Sequence, residues 1–250
     1  MSLPKNQAQI IKHKKDALSA LDTLLDKYIA KDPKKADLLS YWLEDYSKFL
    51  DYEPNFNATS LRRYKRGEII KAHLGYNIGS EEGGLHYCIV IGKENPLSSP
   101  VLNVVPLTSA KSPGKKLCLG QVFIGDDLKN KVEEKCITLI KKARTKFSKA
   151  AKLIEDVRNG RNSIDPTEID MSTLDELKLF VKTLDNAGKV SNEASRMKSG
   201  SIALVNQITT ISKIRIYDPK TDNDILSHIR LSDETLNKID DEIKKMFVYK

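Results

Sequence analysis

The sequence is poor in residues that staple or coordinate. Its three cysteines, Cys88, Cys118 and Cys136, are far apart and show no CxxC spacing, so neither a disulfide framework nor a structural zinc site is expected. Of the four histidines, His73 and His228 lack partners at metal-ligand spacing and His13 lies among lysines. No metal and no cofactor is expected. No apolar run approaches the roughly 20 residues that cross a bilayer. The opening stretch MSLPKNQAQIIKHKKDAL has no apolar core followed by a small-residue cleavage site, so it does not read as a signal peptide. The reading is a soluble, cytoplasmic protein with no membrane partner.

Positive charge is what the chain does have. Its 42 lysines and arginines against 34 acidic residues give a net charge of +8 over 250 residues, which points to a polyanionic partner, nucleic acid first. A hydrophobic fraction of 40% is enough for a real core.

Apolar residues recur at helical spacing over residues 6–30 and again after Asp32-Pro33, a helix-start signal. An antiparallel helical hairpin is expected there, followed by a linker over 52–60. The pattern then changes to short β-rich runs: Glu68 to Ile70, Tyr87 to Ile91, Val101 to Leu107, Leu117 to Ile124 and Ser201 to Val205. Turn signals such as Gly75, Gly79, Pro96, Pro100 and Pro113-Gly114 separate them. A helical block from Leu128 to Val157, a second from about Met171 to Lys198, and a terminal helix from Asp233 to Phe247 complete the chain. The fold class is α+β: a small β-barrel preceded by a helical hairpin and interrupted by a long helical insertion. In residue ranges, 1–58 forms an N-terminal extension and 59–250 a barrel domain, with the insertion at about 127–199.

The β-rich part carries a resemblance. Arg66-Gly67-Glu68-Ile69-Ile70, Leu74-Gly75, Gly79-Ser80-Glu81-Glu82-Gly83-Gly84, Cys88 to Ile91, Ser99-Pro100 and Val104 to Ser109 follow in the order seen in the MazF/PemK family of toxin endoribonucleases. The likeness resumes at Ser201 to Lys213 and in the terminal helix, and covers about half the chain. It implies an SH3-like barrel, usually a homodimer, that cleaves single-stranded RNA at short sequence sites without a metal. The products would be a 2′,3′-cyclic phosphate and a 5′-hydroxyl. It also implies the role of toxin in a type II toxin–antitoxin pair, with a small antitoxin protein as partner.

Such a reaction needs a base for the ribose 2′-hydroxyl, an acid for the leaving 5′-oxygen, and positive charge on the phosphorane. The resemblance places an arginine shortly after the Gly-Gly and a threonine at the end of the third strand. Thr108 matches the threonine. His86 stands where the arginine is expected, and Tyr87 where a proline follows it. Histidine serves as acid or base near neutral pH but cannot copy the bidentate grip of a guanidinium. His86 and Thr108 are therefore the expected catalytic centre, with Glu81 orienting His86 or the 2′-hydroxyl. Ser80, Arg66, Tyr87, Ser109, Lys111 and Gln207 are the expected RNA contacts. Arg62, Arg63, Lys65, Lys115, Lys116, Lys213 and Arg215 supply further positive charge, and Tyr64 and Tyr87 offer rings for base stacking. The other reading is a non-catalytic barrel, its arginine lost, kept as a nucleic-acid- or protein-binding module.

Overall fold

The computed structural model describes residues 6–110, 117–160 and 171–248. They fall into two compact units. One runs to Phe56 and takes in Leu74–Gly84; the other is Asn57–His73 with the chain from Leu85 onward.

The first unit is the expected hairpin. Helix α1 (Gln7–Lys31) opens with a capping box, in which Asn6 accepts from the Gln9 amide and the Gln9 side chain accepts from the Asn6 amide. This satisfies two of the donors that a helix start leaves over. Helix α2 (Pro33–Tyr52) is capped by Asp32, with Pro33 in the first turn, where its missing N–H costs nothing. Two 3₁₀ turns, Glu53–Asn55 and Ala58–Ser60, stand where a linker is expected. The Leu74–Gly84 loop of this unit closes at its neck: Leu74 N donates to Gly84 O at 2.8 Å and Gly84 N to Gly75 O at 2.6 Å. A Cβ at Gly83 would lie 2.8 Å from the Gly75 carbonyl, and Gly84 has φ +80°. The two glycines serve backbone geometry.

The second unit is built on seven antiparallel strands: β1 (Ile69–His73), β2 (Leu85–Val90), β3 (Val101–Ser109), β4 (Gln121–Gly125), β5 (Ser201–Leu204), β6 (Thr209–Ser212) and β7 (Ile216–Asp218). Their order is β4-β5-β3-β2-β1-β7, with β6 also pairing β3. The nine-residue β3 serves three neighbours. It pairs β6 over Val101–Val104, β2 over Val104–Pro106 and β5 over Leu107–Ser109.

The α+β class is as expected, but the sheet is not closed: no ladder joins β4 to β7 among the described residues. The reason lies in the core. Ile69, Ile89, Val105 and Ala203 from the strands share one buried cluster with helical residues, among them Leu128, Val132, Val190, Ala194, Leu236 and Ile239. Helices fill the concave side, so the sheet need not close on itself to exclude water.

Those helices are α3 (Asp127–Lys146), α4 (Ser148–Arg158), α5 (Met171–Arg196) and α6 (Asp233–Phe247). The single helix expected over 128–157 is two, broken at Phe147 (φ −117°, ψ 55°). The break turns Phe147 inward, where its ring meets Phe180 of α5 edge-on at 6.4 Å. Ala143 and Ala150 complete that smaller core. Helix α5 runs unbroken through Gly188 because Ala187, Val190 and Ala194 on either side are buried. The strand expected from Leu117 begins only at Gln121.

Candidate active site

His86 lies on β2 opposite Ala72 of β1. On its other side β2 pairs β3, with Cys88 opposite Pro106. Carrying that antiparallel register two residues further sets His86 opposite Thr108, and residues directly opposite share a face. The β2–β3 ladder has ended by then, since β3 turns at Leu107 to pair β5. His86 bridges the gap, and its Nδ1 lies 3.1 Å from the Leu107 carbonyl. A carbonyl only accepts, so Nδ1 carries the proton and Nε2 is the basic nitrogen of the neutral ring.

Alternation along the strands fixes what each face carries. Ile89 and Tyr87 face the main core, and Val105 and Leu107 join them from β3. His86 and Thr108 are therefore on the opposite face, both half-buried. Ser109, next to Thr108, pairs with Ser201 of β5.

Tyr87 is used differently from the expected base contact. Its hydroxyl donates to Glu193 Oε1 of α5 at 2.5 Å, and Lys71 Nζ reaches the same carboxylate at 2.7 Å. The Lys71 ammonium also sits 5.1 Å from the Tyr87 ring centre. Burial works against the Glu193 charge, but the hydrogen bonds from Lys71 and Tyr87 outweigh it and hold the carboxyl below its ordinary value. Burial first, and then the Glu193 bond, raise the Tyr87 hydroxyl far above its usual range.

Among the described residues, four of the six cations expected at the RNA surface are also engaged by partners within the protein, while Arg63 and Lys65 are exposed. Arg62 is buried, with two parallel bonds to Glu68 at 3.0 Å each. It also makes bonds to Asp222 at 2.9 Å and to His228 Nδ1 at 3.1 Å. Arg66 donates to the Ile91 carbonyl and to Asp240 of α6. Lys213 is buried and donates to the carbonyls of Pro96 and Leu97 at 3.2 and 3.1 Å. Arg215 Nε donates to the His73 carbonyl at 2.7 Å. Tyr64 is buried with its hydroxyl on the Pro219 carbonyl at 2.7 Å, not offered for stacking. The sequence shows these residues as a basic cluster. Their partners, Glu68 excepted, are carbonyls, acids or the His228 ring some 20 to 175 positions away, which no local pattern reveals.

Gln207 is in a 3₁₀ turn, Val205–Gln207, between β5 and β6, not at a strand end. Ser80 and Glu81 are exposed and belong to the first unit, with the Leu74–Gly84 loop. Lys111, Lys115 and Lys116 lie outside the described residues, as does the Pro113-Gly114 turn. Among the described residues, no group of three His, Cys, Asp or Glu side chains is gathered to hold a metal ion. None of the described helices is long and apolar enough to cross a membrane.

An open antiparallel sheet whose strand-borne histidine reaches the backbone just before a threonine, where two strands part, defines an α+β module with a polar group at that point. Residues 65–159 match the family of PemK-like, MazF-like toxins of type II toxin–antitoxin systems. Over that segment the chain is similar to the MazF/PemK-like family. The matched segment holds His86 and Thr108 and runs on through α3 and α4; Ser201 to Lys213 and the terminal helix lie beyond it. No curated protein matches the chain.

Proposed function

We propose that this protein is an endoribonuclease that cleaves single-stranded RNA without a metal ion. It would act as a toxin held in check by a small antitoxin protein. The observation that carries this reading is the 3.1 Å contact of His86 Nδ1 with the carbonyl of Leu107, the residue before Thr108, within the family-matched segment.

In the proposed reaction the basic Nε2 of His86 takes the proton of a ribose 2′-hydroxyl. The 2′-oxygen attacks the adjacent phosphorus, and the 5′-oxygen leaves with a proton taken from solvent, to which His86 afterwards gives up the proton it took. The products are a 2′,3′-cyclic phosphate and a 5′-hydroxyl, so the atoms balance without added water. Thr108 donates its hydroxyl to a non-bridging oxygen, where charge grows in the transition state. The Leu107 carbonyl holds the imidazole in the tautomer this step needs. Tyr87 and Arg66, committed to Glu193 and Asp240, have no part in this scheme.

The test is incubation of purified protein with long single-stranded RNA in EDTA, with His86→Ala and Thr108→Ala in parallel. We expect cleavage leaving cyclic-phosphate ends, a loss of about a hundredfold or more for His86→Ala, and a smaller loss for Thr108→Ala. No cleavage by the wild type, or undiminished cleavage by His86→Ala, rejects the proposal.

A further inference from the structure

We propose that the outward face of α3 and α4 is the surface that grips the RNA phosphate backbone. This rests on the reading of RNA as substrate. The internal use of Arg62, Arg66, Lys213 and Arg215 raises the question of where the net charge of +8 is displayed. The sequence segment 127–158 holds ten lysines and arginines against five carboxylates, more than half of that excess. From Lys135 to Ile154 there are seven cations and no acidic residue.

The structure turns six of those seven outward. Lys141, Lys142, Arg144, Lys146, Lys149 and Lys152 are all exposed, while Ala143, Phe147, Ala150 and Leu153 between them are buried. Every exposed position from 141 to 152 is a lysine, arginine, serine or threonine. Protein-binding surfaces are depleted in lysine and centre on apolar anchors. Between Lys141 and Lys152 the cationic face is uninterrupted and holds no such anchor, the exposed Ile137, Ile154 and Val157 lying to either side of it. Such a face is the footprint of a phosphate chain. The bend at Phe147 lets both helices contribute to one surface while their inner sides share the Phe147–Phe180 core.

That surface is fixed to the sheet bearing His86. Lys135 Nζ of α3 donates to the carbonyls of Asp224, Ile225 and Ser227 and to Ser227 Oγ, at 2.8 to 2.9 Å. Burial pushes this ammonium down to about 8, and the nearby Asp218 and Asp224 carboxylates oppose that shift. Asp126 accepts from the Gly200 amide at 2.7 Å, closing the two ends of the insertion on each other. Glu193 joins α5 to Tyr87, one residue from His86.

The test compares the wild type with Lys141, Lys142, Lys146 and Lys149 all changed to Gln, and with the same four changed to Arg. Binding of a fluorescent, 2′-O-methylated 20-nucleotide RNA, which cannot be cleaved, is followed against salt concentration, and cleavage of ordinary RNA is measured alongside. The Gln variant should bind at least about tenfold more weakly at 0.1 M salt, with its log–log salt slope shallower by about 2 to 3 units. Its KM should rise while kcat is kept, and the Arg variant should behave as wild type. An unchanged slope and affinity in the Gln variant overturns the proposal. So does competition by polyglutamate of equal charge as strong as that of RNA, which would mark an acidic-protein site. A wild type that binds through these lysines but does not cleave supports this surface and defeats the endoribonuclease reading.

Discussion

Tyr87 of β2 and Glu193 of α5, 106 positions apart in sequence, share a hydrogen bond of 2.5 Å beside the strand-end histidine. Replacing Tyr87 by Phe should destabilise the fold by about 1.5 to 3 kcal/mol, as for loss of a bond to a charged acceptor. Thermal denaturation against pH gives a sharper check. The Glu193 carboxyl is held below its ordinary value of about 4.5, so its contribution is complete above that value and is lost as pH falls through the lower folded one. Glu193→Gln should weaken the protein at neutral pH and flatten this acid limb. An acid limb as steep as wild type would show that Glu193 is not the group responsible.

Changing His86 to Arg restores the residue the family pattern expects, and a guanidinium stays charged at any working pH. Imidazole chemistry depends on pH between about 5 and 8. The wild-type cleavage rate should therefore vary across that window and the His86→Arg rate stay nearly flat. Matching pH profiles for the two proteins would remove His86 from the proton transfer.

The buried Arg62–Glu68 pair should be costly to break from either side. Glu68→Ala leaves an arginine without its main partner inside the protein, and a loss of about 3 to 5 kcal/mol is expected in chemical denaturation. Asp222→Asn, at the exposed end of the same group, should have a much smaller effect. Equal effects would mean that burial is not what sets the cost.

Phe147→Ala should empty the space against Phe180 and cost about 3 kcal/mol or more. The main core belongs to other residues, so the loss should appear first as faster amide exchange in α4 and the adjoining part of α5. Uniform loss of protection across the sheet would contradict two separate cores.

The helices and most strands were legible because their signals are local: apolar residues at helical spacing, Asp32-Pro33 as a helix start, and short β-rich runs between turn residues. Strands β6 and β7, four and three residues long, are too short for alternation to single out. The break at Phe147 was hidden because the apolar stripe continues across it, and only the packing partner Phe180, 33 positions on, decides the bend. At the candidate site the sequence points to His86 and Thr108 individually, while their side-by-side placement comes from strand register. Arg62 and Arg66 misled for the opposite reason. A run of arginines has the look of a surface, and what buries or occupies them arrives from Asp222 and Asp240 near the other end of the chain.

Leu128, Val132, Val190 and Ala194 sit in one cluster with Ile69, Ile89 and Val105, so the inserted helices are not passengers on a finished sheet. A chain cut back to the strands alone would leave those isoleucines and valines facing water and would not persist as a folded species. Insertion and sheet are thus bound to a common history, in which a change of size at Ile89 needs an answering change on α3 or α5. Any drift in the helices is in turn answerable to the strands that carry His86 and Thr108.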